Sequence, residues 1–292
     1  MRRKFKSPFE AVGFYIVVLI FLAFTLFPLL WVIRLSVDDP DSMAKNPGTV
    51  VPEEVILDDP KDDKDNPWLP LSYETIFKDA NFKKGLTNSV VIAGFTTIIC
   101  LTIGSACAYA LARIEFLARR PTLSLVLAIS FFPAVAIISP LFLQFQTLGL
   151  INTYWAVIIP NVLMALPLTV YLLVAYFREL PNDLEEAAKV DGATTWQTFR
   201  RVTVPLSLPG VVTTGLLCFI LAWNDFLFAN TFTLDSTAQP ATVLIPQFAT
   251  IYTTDYGAQA AAAVVMTLPL VLLVLFFQKK IVSGLTAGAT KE

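Results

Sequence analysis

The chain has 292 residues, of which 55% are apolar and only 15% are charged, with a net charge of −2 and a mean hydropathy of +0.66. Because a soluble domain carries about 25% charged residues, this composition predicts a membrane protein. The sequence contains no histidine, which excludes Ser-His-Asp and Cys-His catalysis and the paired-histidine zinc helix. It also contains no Gly-x-x-x-x-Gly-Lys-Ser/Thr phosphate loop. We therefore expect no ATP hydrolysis, no other catalysis and no metal site in this chain.

Six stretches are long and apolar enough to cross a bilayer, which takes about 20 largely apolar residues each. With no water in the hydrocarbon to bond the backbone, each stretch is expected to be helical, and the alternating pattern of a barrel is absent. The third and fourth come from one run of 57 uncharged residues, 121–177, that is turned by a polar segment. The predicted spans are 12–34, 86–112, 121–143, 153–177, 208–230 and 258–278.

The basic residues are distributed unevenly between the segments that join these spans. The N-terminal segment 1–11, the loop 178–207 and the tail 279–292 carry lysine or arginine, whereas 143–153 and 231–257 carry neither. The positive-inside rule therefore predicts that both termini and the loop 178–207 lie in the cytoplasm. The first apolar run exceeds the 7–15 residues of a signal-peptide core, so we interpret it as a retained span.

The three cysteines, Cys100, Cys107 and Cys218, all fall in predicted spans. This placement predicts no disulfide framework, and small apolar packing is their expected role.

The cytoplasmic loop 178–207 has the local signals of a short helix. Asn182 followed by Glu185 predicts a helix start of the capping-box kind. Four residues at i, i+3, i+4 and i+7 then share one face, and Gly192 suits the left-handed residue that ends such a helix. The residues on that face are Leu184, Ala187, Ala188 and Asp191.

A second helix is predicted directly after the first. Thr194 with Gln197 three residues later is a second capping signal, and Trp196 and Phe199 follow. The prolines Pro205 and Pro209 are expected to break the chain before the fifth span.

This loop has two physical interpretations. Its alanines permit close approach by another surface, and acidic side chains surround them, which suits a helix that inserts into a partner's groove. Alternatively, the helix rests on the inner leaflet, although such helices usually carry lysine and arginine on their polar face. A DNA-binding helix-turn-helix is disfavoured by the acidic helix and the flanking spans.

The same loop resembles the signature of binding-protein-dependent ABC permeases. That signature is Glu-Ala-Ala, three residues, Gly, nine residues, and then two aliphatic residues one apart followed by Pro. The residues that match it are Glu186, Ala187, Ala188, Gly192, Val202, Val204 and Pro205. The segments 184–209, 222–226 and 278–288 are further similar to the second permease subunit of maltose- and trehalose-type importers. The resemblance covers nearly the whole chain and is weakest in the outer segment 35–85.

The resemblance implies a type I ABC-importer permease of the prokaryotic plasma (inner) membrane, with a cytoplasmic coupling helix between spans four and five. Such a permease forms half of a pathway that works by alternating access. The partners it implies are separate ATPase (nucleotide-binding) subunits, a second homologous permease, an extracytoplasmic sugar-binding protein and the bilayer, without nucleic acid. ATP and Mg would bind the ATPase, and no cofactor would bind this chain. The residues expected to meet the ATPase are Glu185, Glu186, Ala187, Ala188, Asp191, Gly192, Phe199 and Pro205.

Two segments of the sequence each have two possible roles. The long, acidic and proline-rich segment 35–85 is either a docking surface for the binding protein or a solvated insert. In the tail, Lys279 and Lys280 either reach the ATPase or anchor the chain at the inner leaflet.

The expected solute is a disaccharide such as trehalose or maltose, with a polyol, an amino sugar or a glycerol phosphate as alternatives. Polar residues in or near the spans are candidates for its path, since they are costly in lipid unless they face protein or water. At about 1.5 Å per residue, Asn161 is expected roughly 12 Å inside its span, whereas Asp225 is expected near the outer boundary, where water can hydrate it. The candidates are Gln144, Asn161, Trp223, Asn224 and Asp225.

The same residue types also build ordinary membrane proteins. Amides form interhelical hydrogen bonds, and Tyr154 and Trp155 suit an interfacial aromatic belt. A secondary transporter would carry intramembrane ionisable residues or interrupted helices repeated in two halves. Apart from Arg34 at the end of the first, the spans contain only Asp225 as a charge, and they show no evident repeat. A membrane-embedded enzyme or scaffold is disfavoured because no catalytic constellation is present.

Overall fold

The computed structural model describes residues 8–38, 70–235, 237–248 and 255–287, and every regular element in those ranges is helical. The predicted all-α class is confirmed. The chain divides into two compact units, one from residues 1–80 and 245–267 and one from residues 81–244 and 268–292. The helices are α1 Pro8–Val37, α2 Leu71–Lys78, α3 Ala80–Arg113, α4 Arg119–Ser130, α5 Ala134–Thr147, α6 Tyr154–Glu179, α7 Asp183–Val190, α8 Thr195–Leu206, α9 Leu208–Trp223, α10 Leu227–Phe232, α11 Ala241–Leu244 and α12 Tyr256–Ala287.

In the first unit, α1 packs against α2. Near the end of α1, Arg34 and Asp38 form a buried ion pair at 2.6 Å, and the hydroxyl groups of Ser36 and Tyr73 lie 2.9 Å apart. Over most of its length α1 exposes its apolar side chains. In a membrane-spanning chain such a surface faces lipid or another helix.

The second unit is organised around α6, which packs against α4, α9 and α10. A buried apolar cluster joins α3, α6 and α8 through Ala108, Leu173, Phe177 and Phe199. Because lipid tails are as apolar as these side chains, close packing rather than burial from water holds such helices together. The glycine Gly210 illustrates this, since a Cβ atom there would collide with the ring of Tyr176.

Four helices in the described ranges, α1, α3, α6 and α12, are individually long and apolar enough to cross a membrane. Two more candidates are bent pairs, α4 with α5 at 86° and α8 with α9 at 79°. The six predicted spans are matched when each bent pair is counted as one span.

The third predicted span, 121–143, is divided between the two helices α4 and α5. The backbone amides of Phe131 and Phe132 bond carbonyls only three residues earlier, which closes α4, and Pro133 then precedes α5. Proline lacks an N–H and disfavours helical backbone in the residue before it. The span is therefore interrupted near its middle.

The helix that begins the fifth predicted span, 208–230, ends before that span does. The α9 helix stops at Trp223, where the side chain of Asn224 donates to the Ile220 carbonyl oxygen at 2.8 Å. A side chain that bonds nearby backbone competes with continuation of a helix. At the other end, the chain bends at Ser207 between α8 and α9, as the prolines Pro205 and Pro209 predict.

Candidate functional site

The short helix α7 ends in a Schellman turn, as Gly192 predicts. The Ala193 amide bonds the Ala188 carbonyl oxygen at 2.9 Å, and the Gly192 amide bonds that of Lys189 at 3.0 Å. Gly192 has a φ of +82°, the left-handed conformation that glycine adopts most readily. The turn fixes the direction in which the chain leaves α7.

The start of α8 is also confirmed. The Thr194 hydroxyl oxygen accepts from the Gln197 amide at 3.3 Å, and the Gln197 side chain accepts from the Thr194 amide at 2.8 Å. These reciprocal bonds form a capping box. Within α8, residues Phe199–Thr203 form one π-helical turn, a rare conformation that is frequent at functional sites.

The capping box predicted at Asn182 is wrong, although α7 begins where expected. The Asn182 side chain makes no capping bond, because its oxygen accepts from the Arg113 guanidinium. Glu185 is likewise directed towards α3 instead of back to the start of its own helix. A distant arginine has therefore replaced the local capping interaction.

Glu185 is the buried centre of a polar network that joins three helices. Its Oε1 lies 3.0 Å from Arg113 Nε in an ion pair and accepts from the Thr203 hydroxyl group at 2.9 Å. Its Oε2 accepts from the Tyr109 hydroxyl group at 3.3 Å. The side chains of Arg113 and Glu185 are only 9% and 8% exposed.

Arg113 extends this network to the end of a fourth helix. Its Nη2 donates to the Leu180 carbonyl oxygen at 2.7 Å, directly after α6, and its Nη1 bonds Asn182. In the sequence, Arg113 directly follows the second predicted span, 86–112. No local spacing connects positions 113 and 185, so sequence reasoning missed Arg113, Tyr109 and Thr203 as partners of Glu185.

The opposite face of α7 is open. Glu186, Ala187 and Asp191 are exposed and Ala188 is half-buried. Two large apolar side chains lie beside them, Val190 at 88% and Trp196 at 62% exposed. This exposed face, formed by residues 186–188, 190, 191 and 196, suits contact with a partner more than it suits solvent.

A recess of about 370 Å³ adjoins the exposed face. It lies between the end of α7 and the middle of α8, and it carries Asp191 and Arg201 on its walls. Its lining is Ala188, Asp191, Gly192, Ala193, Gln197, Arg201 and Val202. A small side chain of a partner protein that entered this recess would lie near one negative and one positive group, Asp191 and Arg201.

A second polar cluster lies where α9 ends. The Asn161 side chain donates to Asp225 Oδ2 at 3.2 Å, and the Asp225 carboxylate accepts from the backbone amides of Phe228 and Ala229 in the first turn of α10. The sequence placed Asn161 and Asp225 at different depths. That separation is wrong, because the chain turns after Trp223 and brings Asp225 back against α6.

Comparison with known proteins identifies the family of this chain. Residues 100–286 match the family described as the binding-protein-dependent transport system inner membrane component. The chain belongs to this family. It is therefore a transport permease component, as the loop signature predicts.

Two relatives match this permease over most of its length. A trehalose transport system permease protein of Mycobacterium tuberculosis is 41% identical over 272 residues, which cover 92% of this chain and 94% of the relative. A trehalose/maltose transport system permease protein of Thermococcus litoralis is 39% identical over 267 residues, 91% of each chain.

A solved structure shares the fold of the permease. It is a bacterial ABC transporter involved in the import of the acidic polysaccharide alginate, with a TM-score of 0.77 and 22% identity, covering 95% of this chain and 99% of that chain. At this identity the likeness establishes the fold alone, and it agrees with the predicted type I permease architecture.

The residues predicted to meet an ATPase do not all lie on the exposed face of the permease. Gly192 and Pro205 are exposed, whereas Glu185 and Phe199 are buried. Phe199 packs against the ring of Tyr109, with 5.0 Å between centroids. These two side chains support the loop from inside.

The candidates for the solute path are similarly divided. Trp223 is buried and stacks on Phe219, with 5.5 Å between ring centroids, and Gln144 and Asn224 are exposed. Asn161 and Asp225 are hydrogen-bonded to each other. Neither the path nor the ATPase contact is decided by this placement, and both remain predictions.

Tyr154 acts as an internal hydrogen-bond donor in the permease. Its hydroxyl group donates to Asn88 Oδ1 at 2.8 Å, and Asn88 Nδ2 donates to the Gln239 carbonyl oxygen at 2.8 Å. Tyr154→Phe should destabilise the permease by about 1–3 kcal/mol, because a buried acceptor loses its partner. Thermal denaturation in detergent measures this loss. The exposed Tyr171 of the same helix gives the matched control, Tyr171→Phe, and equal losses in both variants would contradict the assignment.

Proposed function

We propose that this permease is one of two membrane subunits of an ATP-driven importer of a disaccharide of the trehalose or maltose type. The observation that carries the proposal is the 41% and 39% identity to trehalose and trehalose/maltose permeases over more than nine-tenths of the chain. Because the sequence contains no phosphate-binding loop, the proposal assigns ATP hydrolysis to a separate subunit. ATP and Mg would bind to that subunit and not to the permease.

The exposed face of α7 supports an ATPase contact. Its alanines leave room for a close-fitting groove, and its acidic residues offer charge-assisted hydrogen bonds to a basic surface. Closure of the ATPase on ATP would push α7 and turn the pathway outward. The positive-inside distribution of lysine and arginine supports a cytoplasmic location for this face.

The remaining partners follow from the same proposal. A second permease subunit would complete the pathway, and the exposed apolar surface of α1 is available for helix contacts with it. An extracytoplasmic sugar-binding protein would deliver the solute. The transport system belongs in a prokaryotic inner membrane, with both termini of the permease in the cytoplasm.

Other solutes of similar chemistry are the second candidate. Relatives at 34% and 35% identity are permease proteins for sulfoquinovosyl glycerol and for diacetylchitobiose. All four relatives carry compounds with a sugar ring, so the shared chemistry is a polyhydroxylated ring that amides and aromatic faces can bind.

Purification of the tagged permease in mild detergent tests the proposal. We expect an ATPase, a second permease and a binding protein to co-purify. Reconstituted into liposomes with enclosed ATP, the complex should take up radiolabelled trehalose or maltose when the binding protein is added outside.

Two controls make the uptake result decisive. Enclosed ADP should give no uptake, and uptake that continues without ATP would support a secondary transporter. Uptake of diacetylchitobiose in preference to both disaccharides would contradict the solute assignment while leaving the ATP-driven mechanism intact.

A further inference from the structure

Glu185 and Glu186 are adjacent and chemically identical, yet their environments are opposite. Glu186 is exposed on the face of α7 that is free to meet a partner, whereas Glu185 is buried between α3 and α8. A side chain with its carboxylate enclosed by Arg113, Thr203 and Tyr109 has no oxygen directed outward. The two residues therefore cannot have the same role.

We propose that Arg113 and Glu185 form a clamp that makes α7 move as one body with α3, α6 and α8. In this assignment, which rests on the proposed function, Glu185 is a positioning residue for the ATPase contact and does not touch the ATPase. The clamp transmits displacement of α7 to the spans, and the exposed face of α7 receives it.

The geometry of Arg113 supports this role. One planar guanidinium donates hydrogen bonds to the carbonyl oxygen of Leu180 after α6 and to the side chain of Asn182 before α7, and its Nε forms the ion pair with Glu185 within α7. A rigid fork of this kind holds several acceptors in a fixed arrangement, which a lysine ammonium group cannot do. The turn between α6 and α7 is thereby fixed to the end of α3.

The carboxylate of Glu185 connects α7 to α3 and α8. Its second oxygen accepts from Tyr109, one turn before Arg113 on α3, and its first accepts from Thr203. Thr203 belongs to the π-helical turn of α8 that leads into α9. An eight-residue helix is marginal by itself, so α7 depends on tertiary contacts to keep its position. The bonds from Glu185 to Tyr109 and Thr203 attach the first turn of α7 to α3 and α8.

The variant Glu185→Gln tests the clamp in the reconstituted complex. Glutamine keeps the size and one acceptor oxygen but leaves the buried Arg113 charge without its counter-ion. We expect the amount of sugar transported per ATP hydrolysed to fall about tenfold, while the ATPase still co-purifies in normal amount.

Two matched variants separate positioning from contact. Glu186→Gln should instead reduce the amount of ATPase retained by the permease, because Glu186 lies on the exposed face. Glu179→Gln, an exposed glutamate at the end of α6, should change neither measurement. If Glu185→Gln transported the wild-type amount of sugar per ATP, the clamp would be disproved.

A double variant distinguishes the clamp from general stability. Combining Glu185→Gln with Arg113→Gln removes both charges, so no unpaired charge stays buried. We expect the thermal midpoint to recover towards wild type while the sugar transported per ATP stays low, since the fork to Leu180 and Asn182 is lost. Recovery of both quantities together would show a merely structural pair and overturn the proposal.

Failure of the proposed function gives a different result. If the wild-type complex imports none of the sugars, the proposed function is contradicted, and the clamp is then tested by a measurement that does not depend on transport. In that case hydrogen exchange of the α7 backbone amides reports on it, because loss of tertiary contacts lets a short helix open more often. Glu185→Gln should accelerate this exchange and Glu179→Gln should not, and equal exchange in the two variants would disprove the clamp.

Discussion

Replacing Gly192 with valine should abolish ATP-driven sugar uptake while the permease still reaches the membrane in normal amount. Gly192 has a φ of +82°, where an ordinary L residue costs about 1–2 kcal/mol and a β-branched one more. No atom lies within 4 Å of the position that a Cβ would occupy, so the whole effect comes from backbone strain. The chain would relieve that strain by opening the turn after α7, which redirects the exposed face.

We expect a large effect on transport because the turn is short and because the contact of α7 with the ATPase depends on the orientation of this helix. The α7 helix has only eight residues, and Gly192 fixes the path from it into α8. Uptake into liposomes and the amount of permease in the membrane fraction measure the two parts of the expectation. A graded series should follow, with Gly192→Asn mildest because asparagine tolerates the left-handed conformation, then alanine, then valine.

Gly149 provides the matched control for backbone strain. It has a φ of +67°, and no atom lies within 4 Å of its potential Cβ, but it lies in the turn between α5 and α6, far along the chain from α7. Gly149→Val imposes similar strain and should retain much more uptake. Normal uptake by Gly192→Val, or equal loss in both variants, would contradict a specific role for the turn after α7.

The sequence predicts this part of the molecule well because its signals are local. The left-handed glycine, the Thr194–Gln197 capping box and the bend before α9 each depend on residues within a few positions of one another. The same holds for the long apolar helices, whose existence follows from composition. These local structures are present in the folded protein because tertiary contacts reinforce them and do not replace them.

Features that depend on distant residues could not be predicted in this way. The partner of Glu185 is Arg113 on another helix, and this pair displaces the capping box that Asn182 and Glu185 would form locally. The contact between Asn161 and Asp225 likewise depends on where α9 stops. The depth of Asp225 is estimated along a straight fifth span, and this estimate does not hold because α9 ends at Trp223. Apolarity gives no information about the bend between α4 and α5, and its local signal is Pro133. A proline alone does not locate a break, since Pro140, Pro160 and Pro167 lie inside continuous helices.

Replacing Asp225 with alanine should destabilise the permease and reduce the maximal rate of uptake without changing the KM for the sugar. The carboxylate supports the first turn of α10 through the amides of Phe228 and Ala229, at 3.3 and 3.1 Å, and accepts from Asn161. Loss of such a cap costs about 0.5–2 kcal/mol, and the buried amide of Asn161 also loses one acceptor. The Asp225 carbonyl oxygen accepts from Thr242, so the disturbance extends towards α11.

The alternative role of Asp225, a contact with the transported sugar, gives the opposite pattern. A sugar contact would raise the KM while leaving the thermal midpoint unchanged, because the lost interaction exists only with solute bound. Asp225→Asn sharpens the distinction, since asparagine is an equally good cap but removes the charge. Under the structural assignment it should keep most of the stability, and Asp235→Ala, at an exposed aspartate that accepts from the Thr237 amide, should cost less than Asp225→Ala. A raised KM in both Asp225 variants at normal stability would instead place Asp225 on the solute path, with Asn161 as the residue that orients it.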